Sequence, residues 1–139
     1  MPLRSRAARV LVVEDDPAIA LGLRLLLDDW GYVVTGVAAS GEKALALAAL
    51  GPPDLVLMDV TLDGRLDGIA TAAALRVEHA APILFLTAQS DAPTAERLAD
   101  ADGLLLKPVA PTELRRMVDR LAQGRAAPVA AQRAQSGLR

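Results

Sequence analysis

Short, solid apolar runs alternate along the chain with longer stretches in which apolar residues recur at helical spacing. VLVV (10–13) is continuous rather than alternating, the pattern of a strand covered on both faces. Pro17 then opens a predicted helix with Asp16 as its N-cap. Ile19, Leu23, Leu26, Leu27 and Trp30 give that helix an apolar stripe, and Gly31 ends it. YVVTGVA (32–38) predicts a second strand, Ser40 caps a helix running to about Leu50, and GPP (51–53) breaks it. DLVLMD (54–59) predicts a third strand ending in an acid, and the loop TLDGRLDG (61–68) leads into a helix over roughly 69–80. ILFLT (83–87) and GLLLKP (103–108) predict the fourth and fifth strands, separated by a short polar helix in SDAPTAERLADA (90–101). Pro111 starts a last helix with Leu114, Met117, Val118 and Leu121 on one face, the signature of core packing.

Strands alternating with helices in this way predict one α/β domain: a doubly wound, five-stranded parallel sheet with helices on both faces. The expected organisation is an N-terminal extension over 1–8, the domain over 9–122, and a flexible C-terminal tail over 123–139. That tail, QGRAAPVAAQRAQSGLR, has few large apolar residues and no stripe.

Composition narrows the function classes. The 139 residues suit a single domain with a real core, and 53% hydrophobic with 23% charged residues is ordinary for a globular protein. A net charge of −2 exerts no general pull on nucleic acid or on an anionic membrane. The arginines at 115, 116, 120 and 125 read as a solvated face, since no aromatic or recognition element accompanies them. Cysteine is absent and His79 is the single histidine, which excludes disulfides and both thiolate and multi-histidine metal sites. No stretch reaches the roughly 20 apolar residues of a membrane span, and the N-terminus lacks the form of a signal peptide, so a cytoplasmic location is expected.

The chemistry lies at the ends of the apolar runs. In a parallel α/β sheet the carboxyl ends of all strands share one edge, where ligands bind. The first strand delivers Glu14, Asp15 and Asp16 to that edge, the third Asp59, the fourth Thr87, and the fifth Lys107. Like charges about 4 Å apart cost on the order of 4 kcal/mol per pair at an effective dielectric near 20. Grouping Glu14, Asp15 and Asp59 therefore requires protonation or a cation, and an all-oxygen ligand set favours Mg²⁺ or Mn²⁺. A carboxylate beside such an ion and a lysine can attack phosphorus, which makes Asp59 the candidate nucleophile. Lys107 is one of only two lysines in a chain that otherwise writes its cations as arginine, and a compact ammonium is no substitute for a fork.

VLVVEDDP, LVLMDV, ILFLTA and LLLKP, in this order over about 9–122, resemble the receiver domain of two-component response regulators. The resemblance implies a CheY-like, flavodoxin-like (βα)5 fold with strand order 2-1-3-4-5. It implies that Asp59 takes a phosphoryl group from a phosphohistidine on a histidine kinase or histidine phosphotransferase. Glu14, Asp15, Asp59 and the backbone carbonyl of Thr61 would hold the Mg²⁺, with Lys107 on the phosphoryl oxygens and Thr87 as the switch hydroxyl. It also implies output to an unknown downstream protein by protein contacts, with homodimerisation through the fourth and fifth predicted helices a common mode. Leu104 stands where the family places the aromatic partner of the switch, and the loop after Asp59 is one residue longer than usual and lacks its proline. Without an output domain past 122, a stand-alone phosphorelay receiver is expected, not an enzyme. Two other readings remain. One is a phosphorylation-independent binding module that keeps the acidic pocket. The other is a phosphatase of the haloacid dehalogenase type, which needs an acid two residues after the nucleophile, where Thr61 stands.

Overall fold

A computed structural model of the chain describes residues 6–62, 64–88 and 101–126. Its elements run β1 (Arg9–Val13), α1 (Pro17–Asp29), β2 (Val33–Ala38), α2 (Gly41–Leu50), β3 (Leu55–Asp59), α3 (Gly68–Glu78), β4 (Ile83–Thr87), β5 (Gly103–Leu106) and α4 (Pro111–Ala126). The helix expected over 90–101 lies almost wholly outside the described residues. The strands form one sheet in the order β2-β1-β3-β4-β5, every neighbouring pair parallel. The parallel sheet is the one the alternating pattern predicts, and its order is the CheY-like one that the resemblance implies.

The three central strands, β1, β3 and β4, are covered on both faces, and their alternate residues feed two cores. Leu11, Val13, Val56, Met58, Ile83 and Phe85 point to one side, where Ala44 and Ala48 of α2 and Ala72 and Leu75 of α3 cover them. Val10, Val12, Leu55, Leu57, Leu84 and Leu86 point to the other, beneath Leu23 and Leu27 of α1 and Leu114 and Val118 of α4. A substitution that shifted any strand by one residue would exchange the two sets.

Local signals end the helices where the sequence places them. The Asp16 carboxylate accepts from Ala18 N at 2.9 Å and Ile19 N at 3.2 Å, with Pro17 in the first turn. Ser40 caps α2 by accepting from Lys43 N at 3.1 Å. Gly31 leaves α1 with a φ of 92°, a conformation that glycine adopts without a Cβ clash.

Three features differ from the pattern reading. Ile19, placed on the buried stripe, is 38% exposed, while Ala20 is buried instead. Leu21 and Leu25 also face outward, so α1 is apolar on both sides and its stripe alone does not choose the inner face. The last helix continues to Ala126, past the boundary expected at 122. Asp54, read as the first residue of β3, sits below it, 7% exposed. There it accepts from both Arg6 terminal nitrogens at 2.7 Å and from Arg9 N at 2.8 Å. Burial works against the Asp54 carboxylate, but these partners outweigh it and hold its pKa below the ordinary value. Among the described residues no helix is long and apolar enough to cross a membrane.

Candidate phosphoacceptor site

Strand ends build the site. Glu14 follows β1 and its N–H donates to Ala38 O at 2.9 Å, so the β1–β2 ladder carries the chain one residue further and points the Glu14 side chain inward, 2% exposed. Asp59 closes β3, 5% exposed, with Leu86 of β4 as its partner in register. Thr87 ends β4 one position beyond that partner, and its carbonyl accepts from Lys107 N at 2.8 Å, which fixes where β5 releases the lysine. Backbone pairing therefore delivers the side chains to one edge before any of them interacts.

There the Lys107 ammonium lies 3.1 Å from Glu14 Oε1 and 3.3 Å from Asp59 Oδ1. Glu14 Oε2 accepts from Asp16 N at 3.2 Å, and Asp59 Oδ1 accepts from Thr61 N at 3.2 Å. One carboxylate oxygen each from Glu14, Asp15 and Asp59 lies within 4.8 Å of the other two. The Thr87 hydroxyl, 5% exposed, donates to Ala88 O at 3.3 Å. Leu104 is on β5 opposite Phe85, 39% exposed, where an aromatic would complete the usual switch pair.

Negative charge exceeds positive in this cleft, and its proton affinity shows it. Burial, then the adjacent Asp59 carboxylate, lifts the Glu14 carboxyl to about 7, although Asp16 N–H and Lys107 pull the other way. For Lys107 burial works against the charged form, yet Glu14 and Asp59 together outweigh it and raise its pKa above the ordinary value. One ammonium does not balance three carboxylates. A hard divalent cation fits this donor set, whose ligands are all oxygens, two of the three residues being buried.

The sequence reading missed what lies under the site. Asp67 caps α3, accepting from Ala70 N at 2.8 Å, and Gly68 N donates to Val60 O at 2.9 Å. The signal for both was the Asp-Gly pair just before an apolar period, an N-cap with a residue that admits close backbone approach.

Comparisons with known proteins agree with this geometry. The sequence profile described as the response regulator receiver domain matches residues 10–119. The transcriptional regulatory protein PdtaR of Mycobacterium tuberculosis is 41% identical over 108 residues, covering 76% of this chain and 52% of that protein. The chain thus spans about half the length of the curated relatives it matches. Among solved structures, the signal receiver domain of a modulated diguanylate cyclase from Desulfovibrio desulfuricans superposes with a TM-score of 0.79 at 38% identity, covering 86% of this chain and 96% of that one. The receiver domain of a sensor histidine kinase from Pseudomonas aeruginosa, solved with a magnesium ion coordinated in the active site cleft, gives a TM-score of 0.75 at 30% identity, covering 84% and 98%.

Proposed function

Because the chain belongs to the response regulator receiver family, we propose that Asp59 accepts a phosphoryl group from a phosphohistidine. The donor is a cognate histidine kinase or histidine phosphotransferase of a two-component system. One Asp59 carboxylate oxygen attacks phosphorus, the P–N bond breaks, and its electron pair returns to the imidazole ring. Glu14, Asp15, Asp59 and the carbonyl of Thr61 hold Mg²⁺ (or Mn²⁺), which when bound supplies neutralising charge for the phosphoryl oxygens. Lys107, already 3.3 Å from Asp59 Oδ1, exchanges its carboxylate contacts for a phosphoryl oxygen. Thr87 turns its hydroxyl from Ala88 O toward the same group. The chain signals in this way rather than turning over a substrate, and Thr61, where a phosphatase would need an acid, agrees with that.

The observation that carries the proposal is the convergence of Glu14, Asp15 and Asp59 with Lys107 in one cleft at the carboxyl edge of the sheet. An apolar groove of about 970 Å³ opens beside it between α1 and the segment after β5, lined by Ile19, Leu23, Leu26, Pro108 and Val109. It supports a protein donor, because exposed aliphatic side chains next to the acceptor suit a docked helix. Output then passes through protein–protein contacts of the same domain.

Incubation with a small phosphodonor and Mg²⁺ is expected to add the mass of one phosphoryl group to the wild type and none to Asp59→Asn. Absence of the adduct in the wild type, with an active cognate kinase also failing, overturns the proposal. That result favours a phosphorylation-independent binding module, a reading that the aliphatic Leu104 at the switch position supports.

A further inference from the structure

The chain leaves Asp59 and returns to α3 at almost the same point. Gly68 opens α3, and its N–H donates to Val60 O at 2.9 Å, so the loop between them closes on itself directly beneath the acceptor. No side chain fits there. A Cβ on Gly68 would lie 2.0 Å from Asp59 O and 2.9 Å from both Asp59 C and Val60 Cα. These are main-chain atoms, which cannot yield by changing rotamer. Bringing the closest of them out to 3.0 Å takes about 1 Å of backbone movement.

The helix side of that contact is held. Asp67 caps α3 through Ala70 N at 2.8 Å, and the Thr71 hydroxyl, fully buried, donates to Asp67 O at 2.8 Å. Behind Thr71 stands α2, packed so closely that a Cβ on Gly41 would lie 2.1 Å from Thr71 Oγ1. A displacement at Gly68 therefore falls mainly on Asp59. The Asp59 carboxylate takes its own orientation from the same stretch, through Thr61 N at 3.2 Å.

We propose that Gly68 is a positioning residue for the acceptor. Its missing side chain lets the first turn of α3 abut the Asp59 carbonyl and so sets the carboxylate against Glu14, Asp15 and Lys107. The inference rests on Asp59 being the acceptor, and the experiment separates the two claims. Gly68→Ala is compared with the wild type in two readouts: labelling by a small phosphodonor with Mg²⁺, and the Thr61 amide resonance in metal-free protein. A displacement of about 1 Å slows a positioned reaction on the order of a hundredfold, and the Thr61 amide shift moves with the lost geometry.

Stability is separated from positioning by Gly22→Ala, which sits in α1 with nothing within 4 Å of its added Cβ and raises helix propensity there. The double variant regains melting temperature and, on this proposal, not labelling rate. A labelling rate like the wild type's in Gly68→Ala, or one that recovers in step with melting temperature, overturns the inference. If neither variant folds, hydrogen exchange of the wild-type Gly68 amide decides: protection near that of β3 sustains the closure, and loop-like exchange refutes it. If the wild type takes no label from the small donor or from an active cognate kinase, the acceptor reading fails, and the Thr61 resonance alone judges the positioning claim.

Discussion

Removing divalent ions and raising the pH from about 5 to about 8 is expected to weaken this fold, against the habit of carboxylate-rich proteins. The cause is Glu14, whose carboxyl lies at about 7 in the folded chain against an ordinary 4.5. A raised pKa means that the folded state binds more protons than the unfolded chain between those values, so stability is lost as pH climbs through them. At 1.36 kcal/mol per unit the gap allows about 3 kcal/mol, which solvent at the mouth of the cleft trims to about 2 kcal/mol. In a domain of this size that corresponds to roughly 6–10 °C of melting temperature. Lys107 and Asp54, whose pKa values are also shifted, add no slope in this window. The Lys107 pKa is raised, so its contribution is intact until well into alkaline pH, and the Asp54 pKa is lowered, so its contribution is intact down to acid. Glu14→Gln cannot ionise, and the difference between it and the wild type isolates the effect. The assay is thermal unfolding in chelator across the pH series, repeated with saturating Mg²⁺. Mg²⁺ requires the deprotonated carboxylates and restores the wild type at the alkaline end. Parallel wild-type and Glu14→Gln curves in chelator refute the reasoning, because the cleft would then not be overcharged.

Lys107→Ala removes the ammonium that contacts both buried carboxylates, so Mg²⁺ binding tightens about tenfold or more while phosphoryl-induced amide shifts vanish; calorimetric titration giving equal or weaker affinity contradicts this. Asp54→Asn breaks the clamp to Arg6 and costs about 1–2 kcal/mol at neutral pH by denaturant unfolding. Since the folded Asp54 pKa is depressed, that cost shrinks as pH falls through it, and a cost that persists in strong acid speaks against the ion pair. Asp16→Ala loses the cap of α1 and costs about 1 kcal/mol without changing phosphoryl uptake, whereas a large loss of uptake would place Asp16 among the metal ligands.

The elements and their order were legible because each apolar run carries its own boundary: Pro17 behind Asp16, Ser40 before an alanine-rich period, GPP after it. The site residues were legible for a related reason. Parallel strands expose all their carboxyl ends on one edge, so Glu14, Asp15, Asp59, Thr87 and Lys107 converge as soon as the strands are placed. Their local positions imply their tertiary meeting. The inner face of α1 was legible only in part, since Leu21 and Leu25 make its outer side apolar too.

Other contacts left no trace in pattern or spacing. Arg6 and Asp54 are 48 positions apart, and Tyr32 donates to Asp119 from 87 positions away. Neither pair obeys a helical or strand period, because periodicity records which face of one element is buried and says nothing of which charge on another element comes to meet it. The Gly68 contact is the same kind of fact. An Asp-Gly pair announces a helix start, but the 2.0 Å that forbids a Cβ exists only once α3 has docked beneath Asp59. Glu14 likewise carries an unremarkable carboxyl in an extended chain. Its shift to about 7 arises when folding removes water and brings Asp59 beside it.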